Sequence, residues 1–364
     1  MAELTSRDRV RRILDRQPVD RVAAFEWFWP ETQGHWARQG YVRPDEDLVS
    51  HFGFDLRECW CLNLMADPDA GDQIVEEDEQ TKLVRNGNGA LLRWWKNKSG
   101  TPEHVDFLVK DRAGWREHTR PRVTDESSYE RRINFEVYRR HREKSLREGV
   151  FFCWTGVNVF EAIHPVCGHE HMLVGMALDS EWVADMCTVY SQMLIRLMEI
   201  LFAKEGRPDG LWFCEDMGFK NKPFMSPRMY RDIIFPAHKR TFDFAHSLGL
   251  PVFVHSCGFV EPLVPGLIEA GMDCLQAMEV KAGMDLLHLK KTYGGRIALC
   301  GGMDIRTLET NDKSVVQAEL DAKLPGAMAG GGYMLQTDHS VSSRVEYDTY
   351  RYFLDRGREM GTYR

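Results

Sequence analysis

The sequence lacks the features that mark membrane proteins and nucleic-acid-binding proteins. No apolar run approaches the roughly 20 residues that span a bilayer, and the first residues contain no apolar segment of the signal-peptide kind. The 47 Lys and Arg are outnumbered by 55 Asp and Glu, and the basic clusters at 7–12 and 131–147 are interleaved with acids. We therefore expect a cytoplasmic protein whose partners include neither a membrane nor a nucleic acid.

Nucleotide-binding and disulfide motifs are missing as well. No GxGxxG or GxxxxGK(S/T) motif follows an apolar run, which disfavours the nucleotide-binding type of open α/β sheet. The nine cysteines are odd in number and include no CxxC pair, so we expect reduced thiols rather than a disulfide framework. Most of them lie among apolar residues and are interpreted as small core side chains, with Cys257 as the exception.

Short apolar runs alternate with helical patterns from residue 150 onward. Such β-then-α repeats indicate a parallel sheet covered by helices. The six runs are 150–155, 210–216, 251–258, 273–279, 296–304 and 331–339. With a first run at 21–31 and one more strand within 48–66, they approach the count of an eight-stranded barrel. The sequence predicts an α/β fold, a single (β/α)8 TIM-barrel domain over 1–364, with an open doubly wound sheet as the alternative.

Three segments fall outside this repeat. Residues 6–16 have the spacing of a short amphipathic helix that starts at a Ser or Thr cap, and we expect this N-terminal helix to cover one end of the fold. Residues 73–96 contain an Asn-Gly-Asn-Gly turn between two β-like runs, which predicts an inserted β-hairpin. Residues 102–138 are polar and are expected to form a surface excursion that leads into a charged helix at 135–148.

Five of the six runs end in a segment that carries an acid or a histidine. In a βα barrel these positions share the carboxyl-terminal face, where active sites are built. The residues are Glu215, Asp216, His255, Cys257, Glu279, Asp304, Asp338 and His339. We interpret Glu215, Asp216 and Glu279 as candidate catalytic residues. The alternative is that such acids end strands because solvent begins there, or that they pair with nearby lysines.

The segment His255-Ser256-Cys257 is the sharpest of these patterns. Side chains alternate along a strand, so the imidazole and the thiol point the same way. An imidazole, a thiolate and a third protein ligand make a catalytic zinc site with an open position for substrate. We predict zinc held by His255, Cys257 and His339, and a core histidine beside a buried thiol is the alternative. Other candidates for the third ligand are Asp338, Glu215 and Glu279.

A further set of residues suits substrate binding. The predicted residues are Glu26, Trp27, Trp29, Gly301, Gly302 and Asp304. The aromatic cluster after the first run would lie over the pocket, unless it belongs to the core, and paired glycines let backbone approach a ligand or simply make a tight turn. A second histidine-rich segment, 164–171, matches no standard structural-zinc spacing, and we expect it to be a loop that enters a helix.

At these residues the chain resembles the uroporphyrinogen decarboxylase superfamily. The likeness begins at 6–10 and 18–22 and is strongest over 213–230, 253–258, 297–304 and 331–339. This group of TIM barrels includes the haem-pathway decarboxylase and zinc-dependent methyltransferases that work with corrinoid proteins. The resemblance implies a barrel over most of the chain and leaves a choice between these two branches.

The residues favour the methyltransferase-like branch. The decarboxylase binds its acidic tetrapyrrole with arginines after the first strand and an Asp on the next, whereas 25–32 contain no arginine and 59–64 no matching Asp. Acids and indoles do not neutralise a polycarboxylate. The methyltransferases are marked by HxC and a distant Cys, all binding zinc. His255 and Cys257 match the first two ligands, and His339 or Asp338 stands in place of the third.

The resemblance therefore implies a zinc-dependent methyltransferase. It would act on a small methylated or methoxylated substrate, with a corrinoid (cobalamin) on a separate partner protein as the methyl carrier. Zinc would act as a Lewis acid that activates a bound thiol or polarises an ether oxygen. Two alternatives stay open, a metal-free decarboxylase and a non-catalytic barrel that binds a small ligand. A homodimer is compatible with the sequence.

Overall fold

A parallel eight-stranded sheet forms the centre of the computed structural model, which describes residues 3–97 and 100–363. Its strands and those of two smaller sheets are β1 Ala23–Ala24, β2 Leu56–Trp60, β3 Gln73–Glu77, β4 Thr81–Arg85, β5 Leu91–Trp95, β6 Glu103–Asp106, β7 Phe151–Val157, β8 Gly210–Cys214, β9 Gly218–Phe219, β10 Lys222–Pro223, β11 Val252–Ser256, β12 Cys274–Ala277, β13 Ala298–Cys300 and β14 Tyr333–Leu335. The central order is β1-β14-β13-β12-β11-β8-β7-β2. Asp55 N donates to Ala24 O at 2.9 Å between the two edge strands, so the sheet is a nearly closed barrel. The predicted (β/α)8 fold is confirmed.

Helices cover the outside of the barrel. They are α1 Ser6–Leu14, α2 Pro30–Arg38, α3 Leu48–Phe52, α4 Arg112–Gly114, α5 Arg120–Val123, α6 Phe135–Glu148, α7 Val159–Leu178, α8 Ser180–Glu205, α9 Pro227–Met229, α10 Phe235–Ser247, α11 Val264–Ala270, α12 Leu286–Tyr293, α13 Ile305–Leu308, α14 Lys313–Met328 and α15 Tyr347–Met360. Each of the six predicted runs contains a barrel strand, and the strand expected within 48–66 is β2. The charged helix expected at 135–148 is α6.

The N-terminal helix α1 closes the amino-terminal end of the barrel. The Thr5 hydroxyl caps it by accepting a hydrogen bond from Asp8 N at 3.1 Å. Its apolar face joins the cluster of side chains that fills the barrel interior. That interior includes Cys153 and Cys274, which were interpreted from sequence as small core side chains, and also Cys214 and Cys300.

A buried ion-pair network ties α1 to the first two barrel strands. Asp55 is fully buried and accepts hydrogen bonds from Arg9 Nη1 at 2.7 Å, Arg21 Nη1 at 2.8 Å and Ala24 N at 2.8 Å. Asp20 binds the other side of the Arg9 guanidinium at 2.6 Å. Burial alone would raise the pKa of Asp55, but the two arginines outweigh it and hold that pKa below its ordinary value. The network therefore keeps Asp55 ionised inside the protein.

The predicted hairpin is the centre of a larger insertion. Strands β4 and β5 pair across the turn at 86–89, as predicted, and β3 and β6 extend them to an antiparallel sheet of four strands. Gly89 has φ 74°, the left-handed conformation that such a turn requires. After β6 the chain passes through the short helices α4 and α5 before α6. The insertion lies between β2 and β7, two neighbouring barrel strands.

Helix α8 is long and apolar enough, by length and composition, to cross a membrane. In this fold 61% of its most apolar 18-residue stretch is buried inside the protein. Its buried face packs against α7 and α10. This burial accounts for the apolar composition of α8 as an outer helix of the barrel.

Candidate metal site at the barrel mouth

An imidazole, a thiol and a carboxylate meet where β8 and β11 end. The two strands are neighbours, with Cys214 opposite His255 in the register. His255 Nε2 lies 3.4 Å from Cys257 Sγ and 3.2 Å from Asp216 Oδ1. All three side chains are partly open to solvent at the carboxyl-terminal mouth. The convergence of His255 and Cys257 is the one that strand alternation predicts.

Alternation also separates the two neighbouring acids after β8. Asp216 turns toward the mouth, whereas Glu215 is fully buried on the outer side of the strand. Glu215 accepts hydrogen bonds from Phe160 N at 3.0 Å and Glu161 N at 2.8 Å, at the start of α7, and lies 2.5 Å from His238 Nε2 of α10. Glu215 thus fixes helices to the barrel, which differs from the catalytic role predicted for it.

Two glycines bring the loops after β8 and β11 into backbone contact. A Cβ on Gly258 would lie 2.4 Å from Gly218 C, and a Cβ on Gly218 would lie 2.3 Å from Cys257 O. Gly258 also has φ 75°. A side chain at either position would push the loops apart. This close approach lets Cys257 N donate to Asp216 Oδ1 at 2.8 Å and so sets the position of the carboxylate.

Gln276 orients the imidazole from the next strand, β12. Its Oε1 makes a short hydrogen bond with His255 Nδ1, and its own amide nitrogen donates to Gln336 Oε1 at 2.9 Å. With Oε1 as the acceptor, Nδ1 of His255 carries a proton, so Nε2 is the ring nitrogen that would bind a metal once its own proton is displaced. A fixed tautomer of this kind is typical of histidines that bind metals.

The three groups perturb one another's protonation. Burial lowers the pKa of His255, but Cys257 and Asp216 outweigh it and raise that pKa well above its ordinary value. Burial raises the pKa of Asp216, and the adjacent imidazole more than reverses this, so that the pKa is about 2. Burial raises the pKa of the Cys257 thiol. In the protein alone, the trio is an imidazolium and carboxylate pair beside a thiol.

Two further carboxyl groups surround this trio and were not singled out from the sequence. Glu58 belongs to β2, and burial raises its pKa to about 7. Glu161 follows β7 at the start of α7; burial, reinforced by Asp216 and Glu215, raises its pKa to about 9. Both upward shifts come mainly from burial, and a divalent cation at the trio would favour the ionised form of these carboxyl groups.

The structure gives the other predicted ligands separate positions. His339 is not part of the trio: its ring lies 6.0 Å from that of Trp29, and its Nδ1 lies 3.3 Å from Ser340 O. Asp338 is buried and accepts from Val280 N and Ile305 N, both at 2.8 Å, although burial raises its pKa to about 6. The place predicted for His339 is taken here by Asp216.

The predicted residue Glu279 supports the loop that carries the thiol. Its Oε2 accepts a hydrogen bond from Gly258 N at 2.7 Å, directly after Cys257. Asp304 caps α13 through Arg306 N and pairs with the Arg306 guanidinium at 2.6 Å. Glu279 and Asp304 therefore both stabilise loops that follow barrel strands.

The predicted substrate-binding aromatics fall into two groups. The Trp27 ring lies edge-on to His255, with 5.1 Å between centroids, and it also packs on Trp212 inside the barrel. Trp29 lies with His339 at a different part of the mouth. Glu26 is buried, accepts from Trp27 N and Thr337 N at 3.1 Å, and has a pKa raised to about 8 by burial.

Gly301 and Gly302 allow neighbouring elements to pack closely at the end of β13. A Cβ on Gly301 would lie 2.5 Å from Ala277 O, and one on Gly302 would lie 2.9 Å from Leu286 Cβ. Both glycines also have positive φ, 105° and 78°. The close contacts with β12 and α12 therefore require glycine at both positions. This agrees with the interpretation of the two glycines as a tight turn, which was the alternative to substrate binding.

A mainly apolar cavity of about 410 Å³ opens at the carboxyl-terminal end of the barrel. It lies between the ends of β2 and β7 and the inserted sheet, and Glu161 lies in its wall. Its lining includes Trp60, Leu62, Leu64, Met65, Trp154, Val157 and Pro165. The Thr155 hydroxyl in this wall is buried without a hydrogen-bond partner. The size and lining are typical of a pocket for a small, largely apolar ligand.

The donor set fits a tetrahedral zinc ion. Zinc binds thiolate, imidazole and carboxylate at about 2.0–2.3 Å, so two tetrahedral donors lie about 3.3–3.6 Å apart. The measured 3.4 Å and 3.2 Å separations from His255 Nε2 are close to that range. Three protein donors also leave one position open, as in catalytic zinc sites.

The fold and this site define a (β/α)8 barrel with a candidate metal centre at its carboxyl-terminal mouth. A family model of uroporphyrinogen decarboxylase (URO-D) matches residues 164–360. That span is more than half of the chain and includes His255 and Cys257. The chain belongs to the URO-D family, as the sequence resemblance predicts.

One solved structure shares the fold. A methyltransferase from Methanosarcina mazei aligns over 98% of this chain and 99% of its own, with a TM-score of 0.67 and 16% identity. Dispersin B covers 92% of this chain and 95% of its own at a TM-score of 0.40 and 8% identity. A Xaa-Pro dipeptidase with bound methionine covers 63% and 66% at a TM-score of 0.29 and 13% identity. We draw on the first of these alone, for the fold. No curated protein sequence matches the chain significantly.

Proposed function

We propose that this protein is a cytoplasmic, zinc-dependent methyltransferase. It would move a methyl group from a small methylated or methoxylated compound to a corrinoid carried by a separate protein. The observation that carries the proposal is the meeting of His255, Cys257 and Asp216 at the mouth of a URO-D family barrel. The fold likeness to the Methanosarcina methyltransferase supports the same choice.

Each residue around the trio has a part in this proposal. His255, Cys257 and Asp216 hold the zinc, and Asp216 replaces His339 as the third ligand. Zinc bound there would supply Lewis acidity toward a substrate thiol or ether oxygen. Gln276 orients the imidazole so that Nε2 is the nitrogen that binds the metal, and Glu279 holds the loop that carries the thiol.

The cavity supports a small aromatic or apolar compound as the methyl donor. Its volume of about 410 Å³ and its indole and aliphatic lining suit a small aromatic or apolar compound. Glu161 lies in the cavity wall and within the electrostatic reach of Asp216, so the cavity adjoins the trio. Trp27 lies edge-on to His255, with 5.1 Å between ring centroids, and adds an indole to this part of the mouth. The corrinoid protein would dock over the same mouth.

The charge of the mouth argues against a polycarboxylate substrate. Glu58, Glu161 and Asp216 cluster there, and the pKa values of the first two are already raised. A tetrapyrrole with many carboxylates would meet buried carboxyl groups there rather than the arginines or lysines that neutralise such a substrate. The decarboxylase alternative therefore has no charge complement at this site.

Incubation with a reduced corrinoid protein and a panel of methoxylated and methylated compounds tests the function. The proposal predicts the absorption change of methyl-corrinoid formation with at least one donor, and its loss after zinc is removed by a chelator. A protein that binds zinc stoichiometrically but methylates no corrinoid from any donor would instead be a non-catalytic binder. Methoxyaryl donors are expected to react best, because they match the cavity lining.

Gln276→Leu is expected to weaken zinc binding at the mouth by about 10–100-fold, because the His255 imidazole loses the acceptor that fixes its tautomer. Gln276→Glu keeps an acceptor at the same place and should retain most of the affinity. The affinity is measured by competition with a chromophoric chelator. Gln317→Leu, which removes a partly buried amide on α14, is the control. Equal affinity for Gln276→Leu and the unaltered protein would contradict this role.

A further inference from the structure

Three histidines outside the mouth trio meet beside the barrel. His104 comes from β6 of the inserted sheet, and His164 and His169 come from α7. The ring centroids of His164 and His169 are 4.2 Å apart, and that of His104 lies 5.9 Å from His164 and 5.8 Å from His169. One ring nitrogen of each lies within 4.8 Å of the other two. Three imidazoles are a common ligand set for zinc and similar ions, and a bound ion would draw these donor nitrogens closer together.

The sequence spacing of these histidines hides their proximity. Residues 164–171 were expected to form a loop entering a helix, but they lie inside α7, which is broken at Gly168 with φ 75° and ψ 154°. In a regular helix, side chains five residues apart point about 140° away from each other. The break at Gly168 instead stacks His164 and His169 with 20° between their ring planes.

The inserted sheet packs directly on this break. A Cβ on Gly168 would lie 2.5 Å from Phe107 Cε2, just after β6, so a larger residue would displace the insertion. His104 stands three residues before Phe107 and lies edge-on to its ring, at 5.3 Å between centroids. The glycine and Phe107 therefore hold His104 against the two histidines of α7.

His164 shows the arrangement of an oriented metal ligand. Its Nε2 lies 3.0 Å from Glu161 Oε2, and its buried Nδ1 has no hydrogen-bond partner among the described residues. A carboxylate on one ring nitrogen commonly fixes a histidine whose other nitrogen binds a metal. A buried nitrogen without a partner is otherwise an unfavourable feature, and a bound ion would satisfy it.

The three rings are also kept in the neutral form that binds metals. Burial lowers the pKa of His164 and of His169 to about 4. Burial and the neighbouring His164 lower the pKa of His104 as well. Neutral imidazoles have a lone pair available near pH 7, so no proton has to be displaced from any of the three by the ion.

From this geometry we infer that His104, His164 and His169 form a second metal site, which takes a divalent transition-metal ion such as Zn²⁺. The ion fastens the inserted sheet to α7 at the edge of the apolar cavity, since β6 supplies one ligand and the helix supplies two. Glu161 lies between this site and the mouth trio, because it contacts His164 and its pKa responds to Asp216. The inference does not depend on methyl transfer.

Cobalt titration tests the second site separately from the first. The full chain carrying His255→Ala/Cys257→Ala is stripped with a chelator and titrated with Co²⁺, with metal content measured after equilibrium dialysis. We expect one bound Co²⁺ per chain, with ligand-field absorption but no thiolate-to-cobalt charge-transfer absorption. The unaltered protein is expected to bind two Co²⁺ and to show that charge-transfer absorption.

Single histidine variants in the same background locate the ion. Adding either His104→Ala or His169→Ala should remove the bound Co²⁺ and the rise in melting temperature that Zn²⁺ produces. His104→Ala leaves α7 intact and its position is partly exposed, so it separates loss of a ligand from loss of folding. His171→Ala, the next histidine on α7 and outside the cluster, should keep both signals. No Co²⁺ bound in the background variant, or binding that survives both substitutions, would overturn the site and leave the histidines as an aromatic stack on Phe224.

Discussion

Cys257→Ala is expected to remove the metal from the barrel mouth and to abolish most methyl transfer. The thiolate is the softest of the three donors, and the remaining imidazole and carboxylate from His255 and Asp216 are a weak pair for zinc. Loss of an outer partner of a zinc ligand costs about 10–100-fold, so loss of a ligand itself should exceed about 100-fold in affinity and in rate.

The cobalt-substituted protein gives the clearest readout of this variant. Thiolate-to-cobalt charge-transfer absorption should be present in the unaltered protein and absent in Cys257→Ala. Cys187→Ala, which removes another buried thiol in α8, is the matched control and should keep both the absorption and the activity. If Cys257→Ala retains its metal and its rate, then the mouth site is assigned to the wrong residues.

Asp55→Asn is expected to destabilise the protein by about 3–5 kcal/mol, the usual cost of removing one partner from a buried ion pair. The amide keeps the shape of the side chain but removes the charge that compensates Arg9 and Arg21. Arg9 is 2% exposed, so water cannot replace the lost carboxylate. The free energy of unfolding from urea titration measures the effect. Glu359→Gln, in an exposed ion pair with Arg356, should cost less than about 1 kcal/mol.

The same network predicts the direction of the pH dependence. The pKa of Asp55 is lower in the folded protein than in the unfolded chain, where it is about 3.9. Its contribution to stability is therefore complete above that value and is lost as the pH falls through the folded pKa. The unaltered protein should lose more stability than Asp55→Asn between about pH 5 and the acid limit. Parallel stability curves for the two proteins would contradict the role of Asp55.

The barrel was predictable because its strands are continuous apolar runs between helical patterns. Strand β2 was harder to place, since its sequence Leu-Arg-Glu-Cys-Trp mixes charges with apolar residues. Its Arg57 pairs with Asp47 and Glu148 beside the barrel, and Glu58 turns toward the mouth. These partners are distant in sequence, so no local pattern shows that a charged segment forms a barrel strand.

Strand alternation made part of the site predictable. Alternation places His255 and Cys257 together, and it implies that one of Glu215 and Asp216 faces the mouth. Asp216 is the acid that faces His255 because Gly218 and Gly258 bring two loops into contact. These two glycines are forty residues apart in the chain. His339 follows a strand as expected, but it lies with Trp29 on another part of the mouth. The spacing of these residues along the chain does not predict that loop geometry.

Parallel assays on one zinc-loaded preparation test the central claim most directly. One portion receives reduced corrinoid protein with the methyl-donor panel, and the other receives uroporphyrinogen. The account predicts methyl-corrinoid formation with at least one donor and no decarboxylation of uroporphyrinogen. Turnover of uroporphyrinogen, with no methyl-corrinoid formed from any donor, would contradict it and establish the decarboxylase alternative.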